Sequence, residues 1–250
     1  MGTCKLCLQR RELQESHLLP RALYKLARGS GTRGNQDPVA FTATGHRSSS
    51  HQLKDYVLCR DCEQLFSKKG EDYVMRLVTR RNGQFPLLDQ LGQVPTKMKK
   101  DDWSAYSAED TPEIDREKIA YFALSVFWRA SVHSWRDVEG DMVKIDLGNR
   151  YNEELRRYLL GTANVPKNAW LLVSACKDHL SQQIFFMPSE NALVNDRTVG
   201  FAARGLVFML RMTKTPVISV RRLSITNSSH SWIVTVDCGR RGFWQMPGGG

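Results

Sequence analysis

The stretch that decides the fold is "VLCRDCEQLF", residues 57–66. A β-prone run, "DYVLC", ends on Cys59, and Cys62 follows at once in "RDCEQLFSKK", which reads as a helix. Asp61 can cap its first turn. The spacing therefore predicts a strand running into a helix with two thiols at the junction, where the positive end of the helix dipole favours thiolate. Working outward, a second pair of the same form stands near the N-terminus: Cys4 and Cys7 in "CKLC". Two CxxC pairs can supply four thiolates to one tetrahedral Zn²⁺, a structural ion that contributes folding energy directly. The alternative is two unrelated reduced pairs or a redox pair. The 51 residues between the pairs exceed what a compact zinc ribbon uses and suit a hairpin inserted between a knuckle and a helix. Cys176 and Cys238 are isolated in apolar runs and read as buried small hydrophobes.

Between the pairs lies "ESHLLP", residues 15–20, where His17 sits on a short apolar strand, Leu13 to Leu19, followed by Pro20. An isolated histidine on such a strand is either a packed core side chain or a reactive group held at a strand end. A short helix is expected from Arg21 to Ala27. Residues 29–52 are rich in Gly, Ser and Thr and read as a loop or loose hairpin. Gly70 ends or interrupts the helix that starts at the second pair, and "EDYVMRLVTRR" resumes a helical pattern.

Charge is uneven along the 250 residues. The net value is +10; residues 1–85 hold 15 Lys/Arg against 8 Asp/Glu, and residues 86–250 hold 21 against 18. A basic module favours polyanions, because binding releases counterions condensed on phosphates. No apolar run approaches the ~20 residues of a membrane span, and no apolar signal core opens the chain, so a soluble cytoplasmic protein is expected. Residues 82–112 carry Gly, Pro, Lys and Asp with little periodicity, and the domain junction is expected there, as a linker over 86–112. Thr111 with Pro112 looks like a helix start. Residues 113–136 form the strongest helical pattern, apolar on two faces and so expected at the centre of a domain; Arg129, His133 and Arg136 share the remaining stripe, expected as its solvated edge, the alternative being a phosphate or partner contact. "NEELRRYLLG" reads as a short helix with a glycine stop. Strand-like runs follow: "WLLVSAC", "QQIFFMP", "GLVFMLRM", "VISV" and "SWIVTVDC". The class is α+β: a small zinc module over residues 1–85 and a mixed α+β domain over 113–250 around a buried central helix.

A CxxC knuckle, a strand carrying a histidine before a proline, a variable loop, and "LCRDC" opening a helix resemble an HNH nuclease of the zinc-stapled kind. "ESHLLPRALYK", "VLCRDCEQLFSKKGEDYV" and "IAYFALSVFWRASVHSW" are similar to a group of uncharacterised bacterial HNH-like proteins. The nuclease resemblance covers residues 4 to about 75. It implies a treble-clef, ββα-metal core that hydrolyses DNA phosphodiesters, with His17 as general base and a divalent Mg²⁺ or Mn²⁺ as the catalytic ion. It also implies, more loosely, a role in bacterial defence against phage. The residue before the base is a metal ligand in the family and is Ser16 here, with Glu15 one further back. The residue after the last cysteine, another ligand, is Glu63, and a carboxylate suits a hard ion. Glu71 lies ~12 Å from Glu63 on a continuous helix and joins the same ion only if Gly70 bends the chain. Lys54 or Asp55 replaces the family's central Asn. Arg21, Lys25, Lys54, Arg60, Lys68 and Lys69 flank the expected site and are candidate phosphate contacts. The C-terminal domain is expected to recognise a target, a protein partner or a second copy. The competing function is a non-catalytic zinc module that binds nucleic acid or a protein; a pure binder has no need of a base beside a carboxylate.

Overall fold

The computed structural model describes residues 1–28, 39–42, 45–48, 51–100, 102–137, 139–190 and 198–241, with backbone alone at 39–42, 45–48 and 240–241. The chain begins with β1 (Gly2–Thr3) and β2 (Arg10–Arg11), which pair across the CKLC turn. Next come β3 (Leu13–His17) and α1 (Arg21–Ala27), then β4 (Val39–Thr42) and β5 (Gly45–Ser48), an antiparallel pair. The strand β6 (Lys54–Cys59) runs antiparallel to β3, matching Leu13 with Cys59 and His17 with Lys54, and a bulge lies between Gln14 and Glu15.

Cys59 is the last residue of β6 and the extended N-cap of α2 (Arg60–Phe66). The helix does not end at Gly70. It passes through one π-helical turn, Ser67–Glu71, into α3 (Asp72–Leu77). A β-carbon added at Gly70 would come within 2.8 Å of the Phe122 backbone nitrogen, so glycine is what lets this turn meet the long central helix backbone to backbone.

The residues expected to link two domains carry structure of their own. α4 (Pro86–Leu91) starts on a proline at its first position, and β7 (Met98–Lys99) and β8 (Trp103–Tyr106) belong to the main sheet. The central helix α5 spans Arg116–Val132 and starts at Asp115, whose carboxylate accepts from Lys118 N at 3.0 Å. It does not start at Thr111, because the Thr111 and Ile114 carbonyls turn inward to the Arg116 guanidinium, at 3.0 and 3.1 Å. Then follow β9 (Trp135–Arg136), β10 (Met142–Val143), α6 (Asn149–Leu159), β11 (Ala169–Cys176), β12 (Phe185–Glu190), β13 (Thr198–Ala203), β14 (Leu206–Met212), α7 (Ile218–Leu223), β15 (Ile233–Val236) and α8 (Cys238–Arg241). Within "VISV" and its flank only Leu223 is buried while Val217 and Ile218 are exposed, so the expected strand is instead the one-sided helix α7.

The sheet has seven strands in the order β12-β13-β14-β11-β15-β8-β7, antiparallel except for the parallel pair β11 and β15. Alternation along each strand sorts its residues to two faces. Leu171, Val173, Ala175, Phe201 and Phe208 join the principal core, where Phe201 and Phe208 meet Phe122 and Phe127 of α5. Leu172, Cys176, Val207 and Met209 form a second cluster with Leu223 and Trp232. The other side of α5 packs on the N-terminal module through Phe66, whose ring meets Tyr121 and Trp128 edge-on. The principal core therefore runs from Cys4 to Ile233, with α5 between hairpin and sheet.

Cys176 and Cys238 are buried, but as a disulfide and not as separate hydrophobes. The parallel register of β11 on β15 sets Cys176 opposite Val236, which brings residue 238 alongside at a Cα separation of 5.4 Å. No helix among the described residues is long and apolar enough to cross a membrane.

Candidate metal centre and cleft

The four cysteines of the paired motifs converge. In the N-terminal knuckle Leu8 N donates to the Cys4 carbonyl at 2.9 Å and Cys4 N to the Gln9 carbonyl at 3.0 Å, a turn tight enough to place Leu8 at φ 60°. Leu13 opposite Cys59 brings this knuckle to the strand–helix junction. The Sγ atoms of Cys4, Cys7, Cys59 and Cys62 all lie within 4.8 Å of one another. Tetrahedral zinc with bonds of about 2.3 Å separates its sulfurs by about 3.8 Å. Cys7 Sγ and Cys59 Sγ stand 3.9 Å apart, so the donor set fits such an ion. Cys59 N donates to Cys4 Sγ at 3.3 Å. The hydrogen bond from Cys62 pulls Cys4 down to about 4, and holding that proton pushes the Cys62 thiol far up.

On the other side of the hairpin lies a polar cleft of about 560 Å³, lined by Glu15, His17, Arg21, His51, Gln52, Lys54, Asp55 and Arg136. His17 ends β3, half-buried, with the Tyr24 ring of α1 6.3 Å away. Its Nε2 is 2.9 Å from Gln52 Oε1. An amide oxygen only accepts, so Nε2 carries the proton and Nδ1 keeps the lone pair. Burial pushes His17 below its ordinary 6.5, against the opposing pull of Gln52 and Glu15. Lys54 Nζ pairs with Glu15 Oε1 at 2.8 Å. His133 Nε2 meets Asp55 Oδ2 at 2.9 Å, and His51 Nε2 donates to the Arg136 carbonyl at 2.9 Å. The backbone N–H of Tyr56, and then His133, hold Asp55 below the usual carboxylate range. β9, through Arg136, thus forms the far wall of the cleft.

Of the three carboxylates considered for a catalytic ion, Glu63 and Glu71 are not in this cleft. Glu63 turns inward, and its Oε1 is closed off from solvent without a hydrogen-bond partner. Burial raises its pKa; Arg129 and the Ser16 hydroxyl oppose the rise, and Glu71 adds to it. Ser16 is fully buried and accepts from Leu58 N at 3.0 Å. Arg129, expected on a solvated edge, is 1% exposed. Its Nη1 donates to the His17 carbonyl at 2.7 Å, and its Nη2 pairs with Glu71 Oε1 at 2.7 Å. Ser125 Oγ lies 3.4 Å from Nη2, and the Phe66 ring lies 5.3 Å from the guanidinium carbon. The π-helical turn delivers Glu71 to this cluster. A fixed guanidinium already supplies positive charge among these oxygens, so Glu63 and Glu71 do not fit an exchangeable Mg²⁺ or Mn²⁺. Glu15 does line the cleft, tied to Lys54.

Of the expected phosphate contacts, Arg21 and Lys54 line the cleft, while Lys25, Arg60, Lys68 and Lys69 are exposed elsewhere. Lys69 lies over the Tyr121 ring. Sequence reasoning passed over His51 and Gln52. Hairpin register would have found them: Leu18 N bonds the Leu53 carbonyl, which sets the residues before β6 across from His17. Arg129, His133 and Arg136 share one stripe of the helical pattern, but nothing local shows that the stripe meets the β3–β6 hairpin.

No family model matches the chain, and no curated protein or solved structure matches it. Fold and site together define a mixed α+β protein with a four-cysteine cluster that could hold a metal ion such as zinc.

Proposed function

We propose that this chain is a zinc-stapled HNH-type endonuclease acting on DNA, with zinc in the four-cysteine cluster and hydrolysis in the cleft at His17. One observation carries the reading. A half-buried imidazole, neutral at pH 7 with Nε2–H fixed by Gln52, shares a cleft with the cations Arg21, Lys54 and Arg136. Zinc would hold knuckle, β3 and the start of α2 together, and so hold His17 in place. In the reaction, His17 Nδ1 takes a proton from water as its oxygen attacks phosphorus. The cations balance the charge that grows on the phosphoryl oxygens, and the bond to the leaving oxygen breaks. The leaving oxygen takes its proton from solvent water. No step is assigned to a divalent cation.

The test is nicking of supercoiled plasmid by zinc-loaded protein, beside His17→Ala with its zinc content measured. Loss of a general base should cost ~10²- to 10⁴-fold in rate and leave zinc and DNA binding intact. The pH profile should show its acid limb below 6.5. His17 is depressed in the fold, so the neutral base persists as pH falls past 6.5 and is lost only at the lower folded value. Wild-type rates in His17→Ala, or no nicking by the wild type, would remove the nuclease reading. A non-catalytic zinc module that binds nucleic acid is the second reading, and Arg129 among the carboxylates favours it. It expects salt-sensitive DNA binding without nicking.

A further inference from the structure

We propose that the Arg129 guanidinium stands where an HNH-type site carries its divalent cation, so that Glu63 and Glu71 are counter-ions of the chain's own charge and no catalytic Mg²⁺ or Mn²⁺ binds there. The inference deepens the HNH-type reading, and rests on it for placing the ion between the residue before His17 and the residue after Cys62. Those positions are Ser16, fully buried and adjoining the His17 carbonyl that Arg129 holds, and Glu63, whose Oε1 is closed off from solvent without a hydrogen-bond partner.

The oxygens that Arg129 holds are of the kind a hard cation would recruit: a backbone carbonyl, from His17, and a carboxylate oxygen, from Glu71. Arg129 reaches both at 2.7 Å from two different nitrogens. A divalent ion added beside it would set like charges a few ångströms apart in a closed space, where repulsion is poorly screened. The guanidinium cannot lose its proton to make room. Nor is it free to swing out, with Ser125 and Phe66 packed on it and Trp135 Nε1 donating to the Arg129 backbone carbonyl at 3.0 Å. The arrangement also needs the rest of the fold. Gly70 lets α5 approach, and the π-helical turn brings Glu71 within reach. The charge that steadies the His17 strand thus comes from a helix 112 residues away in sequence, at no cost in metal availability.

The experiment is a Mn²⁺ titration of the zinc-loaded full chain, followed by electron paramagnetic resonance of free Mn²⁺ and by NMR of the His17 ring. The expected result is no Mn²⁺ binding that Glu63→Gln or Glu71→Gln alters, and no paramagnetic broadening of His17. Arg129→Ala should gain one Mn²⁺ per chain, lost again on adding Glu71→Gln. If Arg129→Ala does not fold, the comparison of wild type with Glu63→Gln decides alone. One Mn²⁺ per wild-type chain, removed by Glu63→Gln or Glu71→Gln, would overturn the proposal. The readout is binding, so it decides the point even in a protein that nicks no DNA; conversely, metal-free nicking leaves the nuclease reading standing whatever the titration shows.

Discussion

Two buried polar clusters flank the β3–β6 hairpin, and they solve the same problem in opposite ways. On one side four cysteine sulfurs lie within 4.8 Å of one another. Their hydrogen-bonding partners are each other and backbone N–H groups, so neutralising their thiolates calls for a cation from outside. On the other side Glu63 and Glu71 gather on Arg129, a cation carried by the chain. Buried charge is tolerated only when it is paired. The first cluster leaves that pairing to the medium; the second writes it into α5. The contrast teaches that one fastening of the hairpin is built to take an ion and the other to take a helix.

The sharpest way to break this comparison is to remove the outer cation. Chelation, or Cys59→Ser, should cost on the order of 10 kcal/mol, the scale of a structural zinc site, and unfold the hairpin and α2. Hydrogen exchange should then show β3, β6 and α2 losing protection while β11 and β14 keep theirs. Cooperative melting of the metal-free chain at an unchanged temperature would mean that the sulfur cluster needs no ion. The inner cluster gives the matching test. Arg129→Met keeps bulk and removes charge, leaving Glu71 buried without its cation, and should destabilise by about 3–5 kcal/mol. Adding Glu71→Gln should recover much of that loss in denaturant melts, because both ends of the pair are then neutral. Purely additive losses would mean the pair is incidental. The smallest effect concerns the knuckle. Leu8 at φ 60° is exposed, so its side chain contributes little packing in return for a left-handed backbone. Leu8→Gly should raise stability by about 0.5–1 kcal/mol with metal bound, read as a higher melting temperature. A drop would mean the Leu8 side chain has a packing role.

Much of this fold can be read from local pattern. The two CxxC pairs are the four donors that meet. The run from Arg116 to Val132 is apolar on two faces because one packs on Phe66 and the other on Phe201 and Phe208. Other features were not legible. β13 (Thr198–Ala203) and β8 (Trp103–Tyr106) were missed because short strands with small residues have little periodicity of their own, and only the neighbouring strands complete them. The Cys176–Cys238 bridge depends on a parallel register between strands more than fifty residues apart.

The sequence by itself determined the sulfur cluster and the strand–helix junction that carries it, because a CxxC turn is a local geometry that needs no distant partner. It also placed His17 on a strand between those pairs, although the expected strand ran on to Leu19 and the structure ends it at His17. Only the tertiary structure decided which way the charges face. Glu63 and Glu71 turn to the core and Arg129 leaves the expected solvated edge, because α5 docks on the π-helical turn at Gly70, closing solvent away from Arg129 and leaving the two carboxylates only partly exposed. A side chain's chemistry is written in its own residue, but its dielectric surroundings belong to whatever packs against it, and Glu71 and Arg129, which meet at 2.7 Å, are 58 residues apart in the chain.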